Sequence, residues 1–198
     1  MFILLSWGRA SPDVTRLLIR HGADVNKVVN DAGWTPLHVL CCRDITSDLP
    51  ILSQLFGILL DSGANVNAKD RHGYTPLHYA CHRFWHEKGL ILSLISLLVT
   101  AGADTNASAN LGVHARDYKG LSPLHWAARG SHNWANLKEM LIAGANIDIC
   151  DHLGRTPLHH AVRLATPKIT KRLISSGANA EALDKHGDTP LTLAVRAG

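Results

Sequence analysis

Residues 151–165 read Asp151-His152-Leu153-Gly154-Arg155-Thr156-Pro157-Leu158-His159-His160-Ala161-Val162-Arg163-Leu164-Ala165, and this stretch decides the fold. Asp151 to Gly154 predicts a turn, with Gly supplying a positive φ. Thr156 is a natural helix N-cap. Pro157 suits the first helical position, where its missing N–H would go unpaired anyway. Leu158, Ala161 and Val162 fall at helical spacing and are expected in a core. Downstream, Thr166-Pro167 breaks this helix and starts a second, with Ile169, Leu173 and Ile174 as its expected buried stripe. Gly177 then ends that helix in a left-handed conformation.

The phrase repeats. Thr156-Pro157-Leu158-His159 has counterparts at Thr35–His38, Thr75–His78 and Ser122–His125, and a weaker one at Thr189–Thr192. Gly22-Ala23-Asp24, Gly63-Ala64-Asn65, Gly102-Ala103-Asp104, Gly144-Ala145-Asn146 and Gly177-Ala178-Asn179 alternate with it. Ser122 to Thr156 is 34 residues and Thr156 to Thr189 is 33. Such a period marks a stacked repeat array, in which each unit buries its apolar face only against its neighbours.

These two alternating motifs resemble ankyrin repeats over nearly the whole chain. The resemblance implies an all-α repeat solenoid, each unit a β-hairpin finger followed by two antiparallel helices. We expect one domain over 1–198. It comprises a partial repeat at 1–29, repeats near 30–69, 70–116, 117–150 and 151–183, and a partial repeat at 184–198. With both ends inside a repeat, the chain reads as truncated, or as packing its ends on something else. Aligning Gly8 and Gly22 with Gly130 and Gly144 places Phe2 opposite Leu124.

Thr35 to Gly63 spans 28 residues and Thr75 to Gly102 spans 27, against 21 in the regular unit from Thr156 to Gly177. The excess falls near Arg43–Pro50 and Phe84–Gly89. A further excess at Ala107–His114 predicts a lengthened finger loop. These insertions read either as binding devices or as neutral drift in tolerant loops.

The 198 residues carry a formal net charge of +4 and 46% apolar residues, which fits an ordered chain. No Lys/Arg block marks a nucleic-acid or membrane patch, so nucleic acid and direct membrane insertion are not expected. The four cysteines make no C-x-x-C pair. Cys41 and Cys81 fall where other repeats carry Ala128 and Val162, and are expected in the core. Buried thiols fit a reducing compartment, cytoplasmic or nuclear. No nucleophile elbow, phosphate loop, dinucleotide fingerprint or zinc-protease motif is present. We therefore expect no enzyme, no cofactor and no small-molecule substrate. His78, His82 and His86 stand at helical spacing beside Cys81, as zinc ligands would. The resemblance instead implies that His78, like His38, His125 and His159, bonds backbone near a neighbouring finger.

The resemblance also implies a monomeric protein-binding scaffold or adaptor, or the recognition module of a larger protein such as a ubiquitin-ligase substrate receptor or a channel cytoplasmic domain. It places the partner on the concave side, at the finger positions and just past the paired small residues of the first helix. Those positions hold Trp34, Arg71, His72, Tyr74, His82, Arg83, Tyr118, Leu121, Arg129, His152, Arg155 and Arg163. This is an aromatic and basic stripe, suited to an acidic or phosphorylated segment. It also reads as a solvated array face. Asn26, after Gly22-Ala23-Asp24-Val25, matches the family's asparagine hydroxylation position. It reads equally as a turn-holding residue.

Overall fold

The computed structural model describes residues 11–42, 49–82, 90–109, 120–130, 134–164 and 166–197. The expected placement of Phe2, and the segments 43–48, 83–89 and 110–119, lie outside them. Among the described residues ten helices follow in order: α1 Pro12–Arg20, α2 Pro36–Cys42, α3 Leu49–Asp61, α4 Pro76–His82, α5 Leu90–Thr100, α6 Pro123–Arg129, α7 Trp134–Ile142, α8 Pro157–Arg163, α9 Pro167–Ser175 and α10 Pro190–Ala197. The short helices that open with the Pro-Leu phrase stack on one another, α2 on α4, α4 on α6, α6 on α8 and α8 on α10. A second row stacks α1 on α3, α3 on α5 and α5 on α7. The chain is an all-helical repeat solenoid.

The core lies between the two rows. Leu37, Leu77, Leu124 and Leu158 repeat one position and are fully buried. Cys41 and Cys81 are buried as expected, with Cys81 Sγ 3.7 Å from Met140 Sδ. The stripe of α9 needs one correction. Ile169 and Leu173 are buried, but Ile174 is 49% exposed. Ile169 and Leu173 lie four apart on one face, whereas Ile174 turns about 100° further round. The corresponding Leu141 of α7 packs against the core.

The extra length before Gly63 divides cleanly. Helix α3 has 13 residues where α9 has 9, and the other three extra residues fall in the connection. Nearly every turn of α3 is apolar, and Leu52, Leu55, Phe56, Ile58 and Leu59 are all buried.

Among the described residues, the fingers at 29–34, 70–74, 151–155 and 184–188 are tight turns rather than ladders. Among the described residues no strand occurs. Backbone bonds close these turns, Val29 to Trp34 at 2.8 Å with Gly33 to Asn30 at 3.0 Å, and Asp151 to Arg155 at 2.9 Å with Gly154 to Asp151 at 2.9 Å. The turn carboxylates bond their own backbone: Asp70 Oδ1 accepts from His72 and Tyr74, and Asp151 Oδ1 from Leu153 and Arg155. Gly33 shows why glycine is needed there. Its φ is +84°, and a Cβ would sit 3.0 Å from the Arg71 nitrogen of the next finger.

Two polar systems join consecutive repeats. In the first, the motif histidine accepts at Nδ1 from the backbone N–H of the capping residue, Thr35, Thr75, Ser122 or Thr156. It then donates from Nε2 to a carbonyl of the following finger: Tyr74, Leu121, Arg155 or Asp188, at 2.9–3.1 Å. With both ring nitrogens of His78 engaged in this way, it is a structural residue. In the second system, Asn26 donates to the Gly63 carbonyl and accepts from Asn65 N–H. Asn67 makes the same pair with Gly102 and Asp104, and Asn106 with Gly144 and Asn146. At the fourth junction Asp148 accepts from Asn179.

Candidate functional site

The finger ends and the stacked short helices meet along one face, where the residues cluster by repeat position. The residue before the capping Thr or Ser brings Trp34 and Tyr74 to this face. The residue four after it brings Tyr79 of α4, Trp126 of α6 and His160 of α8. Successive units align them because the helices stack in register.

Trp34 Nε1 donates to Tyr79 Oη at 3.0 Å, and Tyr79 Oη donates to Asp70 Oδ2 at 2.6 Å. The rings meet edge to face: Trp34 to Tyr79 at 5.1 Å, Tyr74 to Tyr79 at 5.8 Å and Tyr74 to Trp126 at 6.2 Å between centroids. Such contacts add about 0.5–1.5 kcal/mol each beyond area burial. The Arg129 guanidinium lies 5.1 Å over the Trp126 ring. Tyr74, His78, Tyr79 and Trp126 line a pocket of about 100 Å³. Burial, then the bond to Asp70, drive the Tyr79 hydroxyl far above its ordinary range, so it stays protonated.

Further along, polar pairs replace the rings. His160 Nε2 donates to Asp151 Oδ2 at 2.9 Å, which repeats the Tyr79–Asp70 bond one position for one position. Burial lowers the pKa of His160 against the pull of Asp151, so the ring is neutral with its proton on Nε2. Its buried Nδ1 has no hydrogen-bond partner, and the His125 ring packs edge-on at 5.2 Å. Arg155 Nε bonds Asp184 Oδ2 at 3.1 Å, and Arg196 pairs with Asp188.

The expected partner-facing residues divide accordingly. Trp34 and Tyr74 sit half-buried in the aromatic cluster, and Arg71, His72, His152 and Arg163 are exposed. Arg155 is held by Asp184 with 18% of its side chain exposed. Leu121 is a correction: it is wholly buried and offers its backbone carbonyl to His78. Arg129 is a second, for it is 8% exposed, held down by its stacking on Trp126. The side chain of His82, and all of Arg83 and Tyr118, lie outside the described residues. Asn26 is exposed, with both side-chain amide atoms bonded to the next repeat. Sequence reading passed over Tyr79, Trp126 and His160. The signal was available: their shared position holds Val39 and Leu193 elsewhere, and a purely internal position would stay aliphatic.

Among the described residues no group of three or more His, Cys, Asp or Glu side chains could hold a metal ion. No helix among them is long and apolar enough to cross a membrane.

A family model described as ankyrin repeats in three copies matches residues 3–109, 52–137 and 124–198. The chain belongs to the ankyrin-repeat family. Over 154 residues it is 34% identical to the human B-cell lymphoma 3 protein, covering 76% of this chain and 30% of that protein. It is 36% identical over 107 residues to human ankyrin repeat and SOCS box protein 6, covering 52% of this chain and 23% of that one. It is 30% identical over 144 residues to the variola virus ankyrin repeat protein OPG189, covering 72% and 23% respectively. The chain thus spans less than a third of the length of these relatives. Ankyrin repeats generally mediate protein–protein interaction, and the family's modules are typically non-enzymatic.

Proposed function

We propose that this ankyrin array is a scaffold or adaptor that docks an acidic or phosphorylated segment of a partner protein. The segment lies along the face formed by the finger ends and the short helices, the concave side in this family. One observation carries the reading. The rings of Trp34, Tyr79, Tyr74 and Trp126 form a continuous contact across three repeats, with Arg163 exposed two helices beyond Tyr79. Aromatic rings supply contact area at low entropic cost, and Arg clamps carboxylate or phosphate in two-point fashion. A chain without disulfides among its described cysteines suits cytoplasm or nucleus, and we take it to act as a monomer.

A second reading makes the array the recognition module of a longer protein. It is favoured by the small share of each relative that the chain spans, and by the SOCS box in the name of one of them. Both readings place the partner on the same face.

The test is Arg163→Glu, because Arg163 is exposed while Arg129 supports Trp126. We expect partner capture to fall at least about tenfold, chiefly through slower association, with the circular dichroism spectrum unchanged. Undiminished capture moves the site off this face.

A further inference from the structure

The pocket between α4 and α6 has walls of a particular kind. Tyr79 and Trp126 occupy equivalent positions on adjacent helices, and Tyr74 touches both. His78 forms part of the lining, with each ring nitrogen already bonded, to Thr75 and to Leu121. The Tyr79 hydroxyl is committed on both sides, to Trp34 and to Asp70. Asp70 is equally committed, Oδ1 to two backbone N–H groups and Oδ2 to Tyr79. The space of about 100 Å³ is roughly that of one branched aliphatic side chain.

Aromatic walls accept two kinds of guest, an apolar group or a cation. The charges decide between them. Arg129 already lies 5.1 Å over the Trp126 ring, so a second cation entering beside it meets a like charge at low dielectric. Among the described residues, Asp70 is the carboxylate bonded to a wall residue; it is buried with both oxygens hydrogen-bonded and has no acceptor turned to the guest. A neutral guest meets no such repulsion.

Resting on the docking face proposed above, we propose that this pocket is the anchor subsite of that face. It receives one branched aliphatic side chain, Leu, Ile or Val, from an extended partner segment. The same segment then places a carboxylate or phosphate on Arg163. The register follows from geometry. Arg163 is on α8, one helix beyond the pocket's Trp126 wall, and adjacent helices lie about 8–10 Å apart. An extended chain rises about 3.3 Å per residue, so the acidic residue stands about three positions from the aliphatic one.

The experiment pans a phage library of random heptapeptides against the full chain, then measures selected synthetic peptides by calorimetry and NMR. The expected result is enrichment of an aliphatic residue about three positions from Asp or Glu. Peptide methyl protons should show nuclear Overhauser contacts to the rings of Tyr74, Tyr79 and Trp126. Replacing the aliphatic residue by Ala should weaken binding at least about tenfold. Replacing the acidic residue by Lys should abolish binding to wild type and restore it to Arg163→Glu, a surface change that leaves the pocket walls intact. Selected peptides that depend on Arg163 but tolerate Ala at the anchor, or contact no pocket ring, overturn the subsite and leave the docking face standing. Better binding of a peptide with trimethyl-lysine at the anchor also overturns it. Peptides indifferent to both Arg163 and the rings, or no selected binder at all, overturn the subsite and count against the docking face as well.

Discussion

At the scale of single residues, the motif histidine is the most constrained group in the chain. In each full repeat its Nδ1 must accept and its Nε2 must donate, which only the neutral ring can do. Burial lowers the pKa of His38, brings that of His78 to about 4, and brings that of His125 to about 3, the last with help from nearby His160. A histidine whose folded value lies below its unfolded value near 6.5 takes up protons on unfolding. Stability is therefore full above pH 6.5 and drains as pH falls from there toward 4 and then 3. For His78 the drop from 6.5 to about 4 corresponds to roughly 3 kcal/mol of stability lost. Urea midpoints measured at about pH 7, 6 and 5.5 should fall steadily, above the range in which the carboxylates titrate. Packing makes a sharper contrast. Leu124→Ala should cost roughly 2–5 kcal/mol, because the site is wholly enclosed. Ile174→Ala should cost under about 1 kcal/mol, because half the side chain is in water. Denaturant titration of both variants checks the pair.

At the scale of elements, the helix starts and the turns were legible in the sequence because their causes are local. Thr-Pro sets a helix start, Gly after the last apolar residue sets its end, and Asp folds its own turn. Residue exposure was not legible where a neighbouring unit decides it. Leu121 and Trp34 occupy the same repeat position. One is wholly buried and the other stands in an aromatic cluster, and nothing within their own repeats separates them. Arg129 reads as a surface cation until Trp126, three residues earlier, is seen to offer it a ring. The asparagine junctions yield a prediction of this kind. Asn26, Asn67 and Asn106 each donate to a glycine carbonyl and accept from the next residue's neighbour. Asp148 keeps only the accepting half, since a carboxylate has no N–H to give. Asp148→Asn should supply the donor to the Gly177 carbonyl and stabilise the chain by ~0.5–1.5 kcal/mol, read as a higher urea midpoint. Asn67→Asp should lower it by a similar amount.

At the scale of the whole molecule, contacts run between neighbours only, so stability varies along the array. Helix α10 packs on α8, and its Leu191 and Val195 are 69% and 75% exposed. Their counterparts in α8, Leu158 and Val162, are covered by α9. Amide hydrogens of 190–197 should therefore exchange faster than those of 157–163, by at least about tenfold under native conditions. Hydrogen–deuterium exchange resolved by mass spectrometry checks this, and equal protection would mean that α10 is held by something besides α8.

The histidine bonds all run one way, from a ring forward to the carbonyl of the next finger. Every such carbonyl also receives a second proton from within its own turn: Tyr74 from Asp70, Leu121 from Ala109, Arg155 from Asp151 and Asp188 from Asp184. The acceptor therefore has a reserve and the donor has none. Shortening the protein from its front leaves Tyr74 its own bond when His38 is gone, though the Arg71 and Asn65 N–H groups then exchange Ala32 and Asn26 for water. Shortening it from the back takes from the imidazole its one protein acceptor, which only water can then replace. The protein has an arrow built into it: each unit's ring leans on the unit after it, and no unit's ring leans on the one before.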